Sequence, residues 1–195
     1  LKTRFGNLKN VLDQDSSQTE ILVLDSPFVS NAKFSKMLGI FGDDAVTIDC
    51  TFDGDSERLA LSKSLDRLKM EAEDAIRSGV GHLILSDKQQ SADKIAVPMI
   101  LATSAVHSWL TKRGLRTFCS LNVQSAECLD AHYFAVLIGS GATTVNAYLA
   151  QDSIADRVSR KLLSGSITEN IRRYQEAIDQ GLLKIMAKMG ISVIS

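Results

Sequence analysis

Membrane-length apolar runs, paired cysteines and prolines are what this sequence has little or none of. No apolar run approaches the ~18 residues that a helical span needs, so no membrane role is expected. With 2 prolines and no low-complexity tract, there is no place for a long disordered linker. The cysteines Cys50, Cys119 and Cys128 are odd in number and far apart. They lack the C-x-x-C spacing by which one short loop offers two thiolates, so neither zinc nor an iron–sulfur cluster is expected on them. Sparse, odd cysteines without a signal-peptide pattern read as reduced thiols, and a cytoplasmic location is expected. A formal net charge of -1 also removes the electrostatic basis for binding nucleic acid or an anionic membrane surface.

What is present is the composition of a soluble globular domain, with 45% hydrophobic and 23% charged residues, enough to build one real core. Residues 1–20 are polar and weakly patterned and read as a lead-in segment; residues 21–195 read as one α/β domain. The chain opens at Leu1 and closes on Gly190-Ile191-Ser192-Val193-Ile194, which resembles a strand just begun. The expectation is a piece from the middle of a longer chain, truncated at its C-terminal end.

Short β-rich runs alternate with helical periodicity, which predicts a mostly parallel sheet covered by helices. Strands are expected at Ile21–Leu24, Ala45–Cys50, His82–Leu85, Thr117–Val123 and Thr143–Val145. Ser30 or Asn31 is expected to cap a short helix ending near Gly39 or Gly42. A long helix, capped by Asp55 or Ser56, carries the stripe Leu61, Leu65, Leu68, Ala72 and Ile76 up to Gly79. Pro98 suits the first turn of a helix that ends at Gly114. Further helices are expected over Glu127–Ile138 and Asn146–Leu163. A last one starts at the capping box formed by Ser166 and Glu169, with Gly181 as a place where it divides.

Candidate chemistry is thin. Gly139-Ser140-Gly141 could cradle a phosphate, but it follows a helix and leads into a strand, the order of a helix stop. Neither a G-x-G-x-x-G string nor a P-loop lysine is present. His82, His107 and His132 show no metal-ligand spacing and read as structural histidines. Asp25, Asp49, Asp53 and Asp87 lie at expected strand ends, where βα folds gather their functional groups, yet Asp equally suits strand-to-helix turns. The basic cluster Arg157, Arg160, Lys161, Arg172 and Arg173 reads as a solvated helix face or a domain interface.

Several strings recur together in a recognisable order. They are Asp25-Ser26-Pro27-Phe28-Val29-Ser30-Asn31, Thr47-Ile48-Asp49-Cys50-Thr51-Phe52-Asp53 and His82-Leu83-Ile84-Leu85-Ser86-Asp87. After them come PMILATSAVHSWLTKRGLRTFCSLNVQSAE at 98–127, AHYFAVLIGSGATTVNAYLA at 131–150 and NIRRYQEAIDQGLLKIMAKMGIS at 170–192. Over residues 21–194 the chain resembles the central domain of the glutamate synthase large subunit.

The resemblance implies an incomplete, rudimentary TIM-like barrel that connects a glutaminase domain to an FMN-binding domain of the same chain. The FMN and the iron–sulfur cluster belong to the parent family, and no cofactor, metal or catalytic residue is expected in this fragment. The role it implies is architectural, helping to wall the route of ammonia between distant sites. Ser26, Ser30 and Asn31, short polar side chains in one turn, are the candidates for lining it. The alternative is a free-standing βα enzyme that binds a flavin or a phosphate ligand at its strand ends.

Overall fold

A computed structural model describes residues 1–6, 22–54 and 59–194. In chain order the elements are β1 (Thr3–Phe5), β2 (Leu22–Leu24), α1 (Asn31–Phe41), β3 (Ala45–Asp49), β4 (Thr51–Asp53), α2 (Ala60–Arg77) and β5 (His82–Ser86). Then follow β6 (Lys94–Ala96), α3 (Met99–Lys112), β7 (Ser120–Gln124), α4 (Ala131–Gly139), β8 (Thr144–Asn146), α5 (Tyr148–Ser159) and α6 (Ile167–Met189).

Four βα units walk in one direction across a parallel sheet of order β3-β5-β7-β8. Phe28 adds a parallel bridge to Val145, tied by Val29 N–H to Val145 O at 2.9 Å and Val145 N–H to Pro27 O at 2.8 Å. The segment before α1 therefore occupies a fifth strand position beside β8. No pairing among the described residues joins that segment to β3, so the sheet does not close. The architecture is α/β and consistent with an incomplete TIM-like fold.

The two faces differ in chemistry. Successive strand residues point to opposite faces. Leu83, Leu85, Leu121, Val123 and Val145 face the main core, where they meet Leu68, Ala72, Ile76, Val106, Leu110, Phe134 and Ile178 of α2, α3, α4 and α6. On the other face Ile84 joins Phe34 and Met37 of α1 with Phe5 and Leu24 of the antiparallel pair β1–β2. Handedness explains the split. The connection from the Phe28 segment back to β3 runs against the direction of the other crossovers. A right-handed crossover then places its helix, α1, on the opposite face.

Several boundaries differ from the sequence expectations for local reasons. The helix expected from Glu127 starts at Ala131, because Asp130 supplies the cap, accepting Tyr133 N–H at 2.8 Å. Glu127 is used elsewhere: its carboxylate accepts the first helical N–H of α3, from Met99, at 3.1 Å. The helix expected over Asn146–Leu163 is α5 alone, since Asn146 is still a ladder residue and Lys161 takes a positive φ of 59°. Gly181 does not divide α6. An added Cβ there would stand 2.4 Å from the Ala131 Cβ, so this glycine is what lets α6 lie tightly against the start of α4.

Residues 191–194 form no strand. The lead-in segment contains β1, whose Phe5 is buried. The expected Asp55 or Ser56 cap lies outside the described residues. Among the described residues no helix is long and apolar enough to cross a membrane.

Candidate functional site

Parallel βα sheets present their functional loops at the C-terminal strand ends, in particular where neighbouring connections leave on opposite faces. Here that point lies between β8, followed by α5, and the Phe28 segment, followed by α1. The ladder register brings Ser86, Gln124 and Asn146 side by side at this edge. Their side chains form one hydrogen-bonded row. Ser86 Oγ donates to Gln124 Oε1 at 2.8 Å, and Gln124 Nε2 donates to Asn146 Oδ1 at 3.2 Å. Asn146 Nδ2 donates to Asn31 Oδ1 at 2.9 Å and to Val29 O at 3.0 Å. Asn31 Nδ2 donates to Asp152 Oδ1 at 2.9 Å, and Gln151 Oε1 accepts Asn31 N–H at 2.8 Å. From Ser86 to Asn31 every member is an uncharged hydroxyl or amide.

The same face stays polar toward the strand starts. Thr144 Oγ1 donates to Asn122 Oδ1 at 2.7 Å, and Asn122 Nδ2 donates to Leu83 O at 3.0 Å and Ser120 Oγ at 3.1 Å. His82 Nδ1 lies 2.8 Å from Ser120 Oγ, and its ring stacks on Phe41 and Phe5 with centroids at 4.0 and 4.7 Å. Burial lowers the His82 pKa, and Asp44, 3.6 Å from Nε2, opposes that shift. No buried side-chain nitrogen or oxygen among the described residues lacks a partner, which is what makes a polar interior tolerable.

Asp87 follows β5 and is wholly buried. Its carboxylate accepts Ala126 N–H at 2.8 Å and Ser125 Oγ–H at 3.3 Å, pinning the loop after β7. Burial pushes its pKa up, against the pull of these donors and of Tyr148. Tyr148 itself is pushed up to about 12, first by burial and then by the Asp87 charge, and its hydroxyl accepts from Gln90 Nε2 at 3.3 Å. Asp49 closes its own turn, accepting Thr51 Oγ1–H at 2.8 Å, while Asp25 and Asp53 are exposed. Asp49 and Asp87 brace their loops.

Of the three residues singled out for the ammonia route, Asn31 alone joins the row. Ser30 Oγ accepts Lys33 N–H at 3.3 Å and caps α1. Ser26 is buried, accepts Phe28 N–H at 3.0 Å and donates to Asp179 Oδ1 at 2.6 Å, fastening its segment to α6. Ser86, Gln124, Asn146 and Gln151 were not singled out from the sequence. The signal for Ser86, Gln124 and Asn146 was the period-two placing of polar residues in β5, β7 and β8, ordinarily read as a solvent face; Gln151, on α5, carried none.

The other candidates take structural places. Gly139-Ser140-Gly141 is the stop of α4, with Ser140 and Gly141 N–H groups spent on Val136 O and Ile138 O. His107 accepts from Arg116, and His132 is exposed. The basic residues Arg160, Arg172 and Arg173 are exposed and paired along their own helices with Asp156, Glu176 and Glu169.

Among the described residues no three His, Cys, Asp or Glu side chains lie together to hold a metal. The buried cysteines are kept protonated by burial, Cys119 at about 11 and Cys50 at about 12. At the Gly139-Ser140-Gly141 turn, the His107 ring fills the space beside Gly141 to within 2.2 Å of where a Cβ would stand. These groups do not fit an iron–sulfur cluster or a flavin phosphate.

A family model described as the glutamate synthase central domain matches residues 1–195, thus including the lead-in segment. The chain is 55% identical to the glutamate synthase [NADPH] large chain of Azospirillum brasilense over all of its own length. It is 36% identical to the corresponding large chain of Bacillus subtilis (strain 168) over 98% of its length. To the ferredoxin-dependent glutamate synthase of Pyropia yezoensis it is 33% identical over all of its length. It spans only 13%, 12% and 13% of those proteins respectively.

Proposed function

Because this chain belongs to the glutamate synthase central domain family, we propose that it connects the glutaminase and FMN-binding domains of one large chain. On this reading the parent makes glutamate from glutamine and 2-oxoglutarate in the cytoplasm. The FMN and iron–sulfur cluster sit in its other domains, and this domain supplies position rather than reacting groups.

The observation that carries the reading further is the uncharged row Ser86–Gln124–Asn146–Asn31 at the open C-terminal edge of the sheet. Ammonia that moves between separate sites must stay neutral, and any acidic proton donor along its path would trap it as ammonium. Amides and hydroxyls exchange hydrogen bonds with ammonia but do not protonate it at neutral pH. The nearest buried carboxyl, Asp87, is turned into the loop at Ser125 and Ala126. The row is therefore suited to be one wall of an ammonia route, with Asn31 as its outermost member.

The test is made in the intact large chain. Asn31→Ala is expected to lower glutamine-dependent glutamate synthesis more than ammonia-dependent synthesis, because added ammonia bypasses the route. Equal losses in the two assays would overturn the assignment.

A further inference from the structure

At the other end of the sheet, under the starts of β7 and β8, a cavity of about 350 Å³ is lined by Arg4, His107, Arg116, Ser120, Gly141 and Thr143, among others. Its charge is one-sided. Arg116 is half-buried, and its Nη1 and Nη2 groups donate to Cys119 O at 2.9 Å and Gly141 O at 2.7 Å. Its Nε donates to His107 Nδ1 at 3.0 Å. These acceptors are neutral. Among the described residues no carboxylate pairs with Arg116. Arg4, exposed, adds a second cation at the same cavity, and among the described residues no acidic side chain lines it.

A guanidinium withdrawn from water and balanced only by carbonyl dipoles is costly unless an anion joins it. With Thr143 Oγ1 taking a second Nη2 hydrogen at 3.4 Å, the neutral acceptors fix the guanidinium and leave one Nη1 N–H, and an unbalanced charge, for an anion's oxygen. We propose that this cavity binds a small carboxylate anion, held by Arg116 with Arg4 at its side. The site goes beyond the ammonia-route reading, since it lies at the opposite strand ends and uses none of the same residues. His107 reports on it. As an acceptor from Arg116 Nε its Nδ1 is unprotonated, and burial followed by the Arg116 charge lowers its pKa. A bound anion offsets that charge and must raise the His107 midpoint.

The experiment is an NMR titration of the 195-residue chain with sodium glutarate against sodium chloride at matched ionic strength. It follows the Arg116 Nε–H and the ring signals of the three histidines. The proposal expects a saturable glutarate shift at Arg116, a His107 midpoint moved upward in its presence, and the exposed His132 signals unaffected. Arg4→Gln, a change at an exposed position, is expected to weaken glutarate about two- to fivefold, the scale of one exposed charge. Equal, unsaturable responses to glutarate and chloride would overturn the site, as would saturation that leaves His107 or the Arg4→Gln affinity unchanged. Glutarate binding by this chain but not by the intact large chain would mean that a side chain of the parent fills the cavity. That result would overturn the assignment of a free anion.

Discussion

Single residues in this chain hold loops by hydrogen bonds that cannot be replaced by water. Asp87 is the clearest, with both oxygens engaged on the loop after β7 and no exposure. Asp87→Ala leaves the Ala126 N–H buried without an acceptor, and is expected to cost about 1–3 kcal/mol in urea unfolding. Asp87→Asn keeps an acceptor and should cost less. It should also flatten the pH dependence, because the raised carboxyl pKa makes the folded state favour the neutral acid, a contribution lost as pH rises through that pKa. Glu73 works with the opposite sign. In the seam of α2 and α3 it accepts from Arg77 Nε at 2.9 Å and Trp109 Nε1 at 2.7 Å, and the Arg77 hydrogen bond leads in holding its pKa down. Its contribution is present above the usual carboxylate pKa and lost as pH falls through the depressed one. Urea midpoints compared between neutral pH and about pH 3 should fall less for Glu73→Gln than for the parent chain.

At the scale of elements, Gly181 separates packing from propensity. Alanine in a helix interior is ordinarily favoured over glycine by about 1 kcal/mol. In α6 the added methyl would meet the Ala131 Cβ, so Gly181→Ala is expected to lower the melting temperature. A rise would mean that α4 and α6 separate freely. This helix also marks the limit of what was legible in the sequence. Its capping box was readable because Ser166 and Glu169 act locally, and Ser166 Oγ does accept Glu169 N–H at 3.2 Å. Its continuity through Gly181 was not, because the reason lies on another helix. The strands β5 and β7 were placed by their apolar residues alone. Their polar alternates Ser86 and Asn122 carry no signal that they are buried until α1 and β1–β2 are known to cover that face. Asn31 was found because it stood in the turn that the family strings single out. Its partners Asn146 and Gln151, more than a hundred residues away in sequence, could not be.

For the whole molecule, one sheet carries two unlike faces and two unlike ends. The apolar face binds α2, α3, α4 and α6, and the polar face is covered by α1 and the β1–β2 pair, where the His82, Phe5 and Phe41 rings pack against one another. Because burial lowers the His82 pKa, this packing contributes most above the usual histidine value and is expected to loosen as pH falls below about 6.5. Amide exchange in β1 should then quicken before exchange in β7, and simultaneous loss would contradict this. The shape of the α/β sheet follows from handedness and from a walk of four parallel strands that stops short of closure. We propose that this domain connects and positions, while cofactors act in its neighbours. Its most direct test is the visible spectrum and native mass of the purified 195-residue chain after mixing with FMN and removing free flavin. No retained flavin absorbance and an unchanged mass are expected; stoichiometric FMN on the chain would contradict the connecting role.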